Sequence, residues 1–388
     1  YSMEDDPESK TNNALDMFRK VPMVTVDGED KIQLKGSSNY KIYMNGKPSN
    51  LLSGDNASDV LKSMPASTIK NIEVITDPGA KYDAEGVGGI INIVTRKLDQ
   101  SGFSASLNAS GSTIGSWNGD ALMNLRKGPS RWYLGLTGTQ QKGRSDFRQD
   151  RKAIVDDYVT KSLSDGERFS CNSSYIARLG YELNLDSHRI LFEAQTGVTE
   201  VARGGDLKYD EYRTLAGATI NDALYDSKDR YSNEKRLAQL SADYDWKINE
   251  RGDNLSFRSR FRYDWYALEY TESNMFDEAG ARYEGTRGYE DEAHWDIDAA
   301  LAYDLHYRPS GKAEFGYQLT SYSEFGDYSI KYWNREVKDF QWQDHLAAPF
   351  WYRRQLHSLY AMATDKFGPL SVEAGLRGEM TDDRMHFE

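Results

Sequence analysis

The chain is 388 residues long and 38% hydrophobic, with a formal net charge of -13 and a mean hydropathy of -0.75. No run approaches the ~18 apolar residues a membrane helix needs, so a helical membrane protein is excluded; a membrane β-barrel is not, because only every second residue of its strands faces lipid. The acidic balance argues against nucleic acid as a partner, since phosphate binding asks for a basic face.

The 26 Tyr and 8 Trp are many for a soluble domain and suit aromatic girdles at two membrane interfaces. A single cysteine, Cys171, allows neither an internal disulfide nor a cysteine-based metal site. The chain opens at Tyr1 without a charged or apolar leader, and so reads as beginning inside a longer protein.

Thr11-Asn12-Asn13 supplies N-cap chemistry for a short helix over Ala14 to Phe18, which Val21-Pro22 ends. Val24 to Val26, Ile32 to Leu34 and Tyr40 to Met44 read as strands, the last closed by the hairpin dipeptide Asn45-Gly46. A second helix is predicted over Asn56 to Met64, stopped by Pro65. Ile69 to Ile75 and Ile90 to Thr95 are further strands, separated by the turn Asp77-Pro78-Gly79 and by Gly88-Gly89.

The run from Ile72 through Asp77-Pro78-Gly79-Ala80-Lys81-Tyr82-Asp83-Ala84-Glu85-Gly86-Val87-Gly88-Gly89 to Thr95 resembles the plug signature of TonB-dependent outer-membrane receptors. Val21-Pro22-Met23-Val24 and Tyr43-Met44-Asn45-Gly46-Lys47-Pro48 fit the same plug, in the style of the Bacteroidetes branch. The resemblance implies a plug inside a barrel lumen, with Asn45, Gly46, Pro78, Tyr82, Gly86, Gly88 and Gly89 as its signature residues. Gly86, Gly88 and Gly89 lack a Cβ and permit positive φ or close backbone approach. Lys81, Asp83, Glu85, Arg96 and Lys97 are expected as polar anchors toward a polar lumen.

After Leu98 the period changes to two. Phe103, Ala105, Leu107 and Ala109 alternate with serines and Asn108. Leu255, Phe257, Phe261, Tyr263 and Trp265 oppose Arg258, Arg260, Arg262 and Asp264. Trp295, Ile297, Ala299, Leu301, Tyr303 and Leu305 oppose His294, Asp296, Asp298 and Asp304. Such lengths match the ~9–11 residues of a tilted bilayer-crossing strand, and the ionised face must meet water or the plug.

Strands are predicted near 102–110, 119–126, 131–140, 171–183, 189–199, 236–247, 254–267, 293–305, 312–321, 351–366 and 370–380. Short connections centre on Gly128-Pro129, Asp186-Ser187, Arg251-Gly252, Pro309-Ser310 and Gly368-Pro369. Long polar loops are expected over roughly 141–170, 200–235, 268–292 and 322–350. This short–long rhythm, with the plug entering from the periplasm, places the long loops outside the cell.

The fold class expected is therefore an α/β plug domain over residues 1–97, followed by an antiparallel transmembrane β-barrel over 98–388. About eleven strands of an expected ~22 are present. The odd count leaves two edges open and suggests a fragment of a longer polypeptide, with a wall shared between chains as the alternative.

The six histidines are scattered, and no HxxxH, EF-hand, Walker A or GxSxG pattern occurs. No enzyme, cofactor or metal is expected; Asp226-Ser227-Lys228-Asp229 reads as solvated charge. Tyr209, Tyr212, Tyr225 and Tyr231 are candidate ligand contacts, for stacking on a sugar or gripping a peptide. Trp246, Trp265 and Trp295 read as interface anchors.

The resemblance implies energised uptake across the cell outer membrane. The TonB complex drives it through a short N-terminal box not recognisable in residues 1–20, and a carboxypeptidase-like extra domain is not seen either. Outer-membrane lipid and a lipoprotein are the other expected partners. The rival readings are a passive channel and a surface adhesion or structural barrel.

Overall fold

The computed structural model describes residues 1–3, 6–10, 12–27, 31–44, 47–48, 57–58, 61, 64, 66, 69–76, 89–95, 102–155, 157–215, 217–347 and 349–387. In the N-terminal unit, α1 (Ala14–Phe18) begins where the Asn13 side chain accepts from the Asp16 amide at 2.9 Å, satisfying a donor that the first helical turn leaves free. A helix of five residues is too short to stand on its own hydrogen bonds. Burial of Leu15, Met17 and Phe18 holds it, at ~1.5–3 kcal/mol per large side chain.

Strands β1 (Val24–Val26) and β2 (Ile32–Leu34) form an antiparallel hairpin. A second sheet contains β3 (Lys41–Met44), β4 (Lys47–Pro48), β5 (Ile69–Ile75) and β6 (Ile90–Thr95), in the order β4-β3-β6-β5, with β3 and β6 parallel. Ile90, Ile91 and Ile93 are buried on both faces of β6, which fits a continuous apolar run in a covered strand. The buried polar side chain of Asn92 on this strand donates to Glu73 at 2.8 Å. The first residues add to the free edge of β5: Tyr1 and Ile72 exchange backbone bonds of 2.8 and 2.9 Å. Of the predicted helix over 56–64, Ala57, Ser58 and Leu61 are described and helical; the turn at 77–79 and the anchors at 81, 83, 85, 96 and 97 lie outside the described residues.

The second part is one antiparallel sheet. Its strands are β7 (Gly102–Gly111), β8 (Trp117–Lys127), β9 (Ser130–Val155), β10 (Tyr158–Asn184), β11 (His188–Leu215), β12 (Ala218–Lys247), β13 (Asn254–Phe276), β14 (Arg282–Arg308), β15 (Gly311–Asn334), β16 (Asp339–Trp342), β17 (Phe350–Phe367) and β18 (Leu370–Phe387). Each pairs with its sequence neighbour, except that β17 pairs with β15, and β16 adds to the end of β15. The path thus runs through the eleven strands predicted.

Their lengths correct the sequence reading. The stretches expected as long loops are mostly ladder: β9 and β10 stay in register from Ser130↔Leu183 to Val155↔Tyr158, and β11 and β12 from His188↔Trp246 to Arg213↔Asn221, where the register shifts before the ladder ends at Leu215↔Ala218. Paired strand therefore stands where loops were predicted, up to Val155 and Tyr158 on one hairpin and to Leu215 and Ala218 on the next. The reason is visible on β9, where Lys142, Arg144, Asp146, Arg148, Asp150 and Lys152 continue the face that carries Trp132, Leu134 and Leu136 lower down. Backbone pairing persists there while the apolar alternation that signals a strand disappears.

The two faces of the sheet invert the usual order. On one face Leu107 is 80% exposed, Leu240 61%, Leu359 65% and Leu376 82%; on the other Asp264 is 0% exposed, Glu314 6% and Gln239 6%. An apolar face this continuous has only lipid as a suitable solvent. Aromatic rings mark its two limits. Trp132 and Tyr181 (4.2 Å between centroids) and Trp246 stand near the short turns, and Tyr263, Trp265 and Trp295 at the other end. Leu255 and Trp265, ten residues apart on β13, are separated by ~34 Å along the strand, which at a ~45° tilt spans ~24 Å of membrane normal.

On the polar face, the Tyr360 ring lies across its register partner Gly316, where any Cβ would overlap it. Gly316→Val is expected to expel the ring and to lower stability by ~1–3 kcal/mol. Urea unfolding in detergent micelles measures this, and a loss within ~0.3 kcal/mol would mean that the ring is not held there.

Candidate functional site

The polar face of β12 to β17 carries a charged network above the middle of the lipid belt. Arg262 holds Asp264 through two bonds of 2.7 and 3.1 Å, and His294 Nε2 approaches the same carboxylate at 2.7 Å, with Lys235 Nζ at 3.8 Å. Arg260 bridges Asp296 (2.8 Å) and Asp298 on the next strand. Strand register does this: Asp264 faces His294, and Arg262 faces Asp296.

Donor atoms of Asp264, His294 and Asp296 lie within 4.8 Å of one another, the spacing of a metal-ligand set. The chemistry of the neighbours does not fit a cation, because Arg262 already occupies both oxygens of Asp264. The network is closed by its own positive charges, as a buried carboxylate requires.

Farther from the short turns, aromatic rings line the same face. Tyr266 and His294 are 6.4 Å apart, His294 and Tyr322 5.6 Å, and Tyr322 and Tyr352 6.1 Å; the Tyr322 hydroxyl donates to Glu324 at 2.6 Å. Beyond them Tyr209 and Tyr225, opposite each other on β11 and β12, stack at 4.9 Å and 6°, and Tyr283 meets Tyr225 edge-on at 6.3 Å. Burial pushes the hydroxyls of Tyr209 and Tyr225 up, with the negative charges of Asp229 and Glu211 respectively adding to the effect, so both remain donors at neutral pH.

The four tyrosines singled out in the sequence do not all share one face. Tyr231 shares the face of Tyr225, with Arg203 6.0 Å from its ring. Tyr212 points to the opposite face, where Lys161 lies 5.5 Å from its ring. All four stand on paired strands rather than in a loop. A double-mutant cycle of Tyr209→Ala and Tyr225→Ala is expected to give a coupling of ~0.5–1.5 kcal/mol; additive losses would show that the rings do not touch.

Of the plug signature residues, Asn45, Gly46, Pro78, Tyr82, Gly86 and Gly88 lie outside the described residues. Gly89 has φ +148°, and a Cβ there would sit 2.7 Å from the Leu34 side chain and 3.0 Å from the Ile75 carbonyl. The Asp264–His294 network escaped the sequence reading. Alternation put its members on polar faces, but only the register between strands brings them together.

Residues 1–90 match the TonB-dependent Receptor Plug Domain family, and residues 204–388 match the Outer membrane protein beta-barrel family. Among solved structures, the chain is similar to the ferric yersiniabactin uptake receptor FyuA from Yersinia pestis at 11% identity and a TM-score of 0.37, covering 98% of this chain and 71% of that one. The FrpB iron transporter of Neisseria meningitidis (F5-1 variant) matches at 10% identity and a TM-score of 0.32, covering 99% and 80%. The alcaligin outer-membrane receptor FauA from Bordetella pertussis matches at 12% and 0.28, covering 96% and 92%. Values this low carry no argument about ligand.

Proposed function

Because this chain belongs to the TonB-dependent receptors of the outer membrane, we propose that it imports its ligand actively, with residues 1–97 as a plug that gates the lumen of the barrel whose wall begins at residue 98. As a family member it is an outer-membrane transporter rather than an enzyme. The observation that supports gated uptake is the order of the parts: a plug-type unit precedes a sheet with one lipid-compatible face and one charged face. A dedicated plug has no use in a permanently open pore.

In this reading Asn45, Gly46, Pro78, Tyr82, Gly86, Gly88 and Gly89 shape the plug loops that must rearrange under load from TonB. Tyr209, Tyr225 and Tyr231 offer the incoming ligand rings and hydroxyls on the polar face, and Tyr212 has no part. The test compares which solutes cells with and without the full-length protein remove from a complex medium, before and after a protonophore collapses the proton gradient. Removal that needs both the protein and the gradient is expected. Removal that survives the protonophore would mean a passive channel, and no removal at all a surface adhesion or structural barrel.

A further inference from the structure

The ladder between β15 and β17 ends at Gly326↔Phe350, and β16 takes over only from Lys331. Between these points the chain returns across the flank of β15, where the Gln343 amide donates to the Ile330 carbonyl at 2.9 Å. The interruption leaves a cavity of about 380 Å³, lined by Phe325, Pro349, Phe350 and Trp351, with Asp291 and Asp327 on its wall. His386 of β18 forms the far side. A volume of this order suits one side chain or a small ligand.

Its position is set by the alternation on β14. Trp295 belongs to the aromatic limit of the apolar face, and Ala293 and Asp291 follow it on the same side. The aspartates therefore stand on the outside of the wall, just beyond the lipid belt, where a molecule lying alongside the barrel meets them.

Asp291 and Asp327 are directly opposite in the β14–β15 register. Like charges in that arrangement oppose pairing. Among the described residues, no Lys, Arg or His nitrogen lies within 4.0 Å of either carboxylate. Phe325 remains 48% exposed and Trp351 36%. Both aspartates are exposed, so water solvates them in the empty cavity; a lipid phosphate would be repelled here, and a plain acyl chain would draw nothing from the two carboxylates. An arginine or lysine satisfies both requirements, because its stem is apolar and its head is cationic, and a guanidinium also gains from an aromatic face.

We propose that this cavity receives a basic side chain of a protein partner seated against the outside of the wall, its stem on Phe325, Phe350 and Trp351 and its charge between Asp291 and Asp327. The proposal is independent of the transport reading.

The test uses the full-length protein in detergent micelles and two synthetic probes, N-acetyl-leucyl-arginine amide and its neutral isostere N-acetyl-leucyl-citrulline amide, with binding followed by saturation-transfer NMR. The arginine probe is expected to bind about tenfold more tightly than the citrulline probe, from two partly exposed ion pairs. The Asp291→Asn/Asp327→Asn variant should lose that preference. It removes a repulsion, so it should fold as well as the parent, which heat-modifiability on gels checks. Trp351→Ala should weaken both probes alike. Equal binding of the two probes, or a preference that survives in the double variant, would overturn the proposal. Binding of benzylamine as tight as that of the arginine probe would also overturn it, by assigning the cavity to a small free cation.

Discussion

Replacing Leu301 with arginine is expected to cost ~2–4 kcal/mol of folded stability in the membrane and to reduce the protein assembled in the outer membrane severalfold. Leu301 is 46% exposed near the middle of the apolar face, between Phe257 and Tyr317. A guanidinium there has no water within reach, and its register partners on that face, Phe257 and Tyr317, offer no carboxylate. The comparison is Thr320→Arg on the polar face, where the register places Asp298 opposite the new side chain. That variant should assemble normally, since the charge enters a wall already built of ion pairs. Equal loss in both, or in neither, would contradict the assignment of the two faces. The readout is the heat-modifiable folded fraction together with urea unfolding in micelles.

The second large effect is expected at Asp264, whose side chain is 0% exposed. Removing it as Asp264→Ala leaves Arg262, Lys235 and His294 crowded around a vacated carboxylate site. Breaking one side of such a buried network costs ~3–5 kcal/mol, because the remaining charge stays desolvated and unpaired. Asp264→Asn keeps the volume and two polar atoms and should lose less. Converting both partners, Asp264→Leu with Arg262→Met, should recover most of the loss, since a buried pair is exchanged for apolar packing. A loss below ~1 kcal/mol in the alanine variant would show that water reaches the network.

The sequence made the lipid belt legible where one face is apolar. Leu255, Phe257, Phe261, Tyr263 and Trp265 stand at spacings that only an extended strand puts on one side, and the tight turns at 186–187, 309–310 and 368–369 fixed where strands reverse. The outer ladders were missed because hydrogen-bonded pairing leaves no hydropathy signal once both faces are polar. The same gap hid the Tyr209–Tyr225 stack: the register between β11 and β12 sets those two residues opposite each other, inside a stretch expected as loop. Asn13 was legible as a cap because its chemistry is local. The Asp264–His294 contact was not, since it depends on the register between β13 and β14 and on the bulge between Trp265 and Glu269.

The central claim is that one face of the sheet meets lipid and the other meets water. It is tested most directly by spin labels placed one at a time along β14, from position 296 to 302, in the full-length protein with Cys171 replaced by serine. Collision rates with oxygen, which concentrates in lipid, and with a water-soluble nickel chelate are then compared. The account predicts alternation: labels at Ile297, Ala299 and Leu301 collide with oxygen, and labels at Asp296, Asp298, Ala300 and Ala302 with the chelate. Equal chelate access at all seven positions would contradict it and make the apolar face the surface of a soluble assembly.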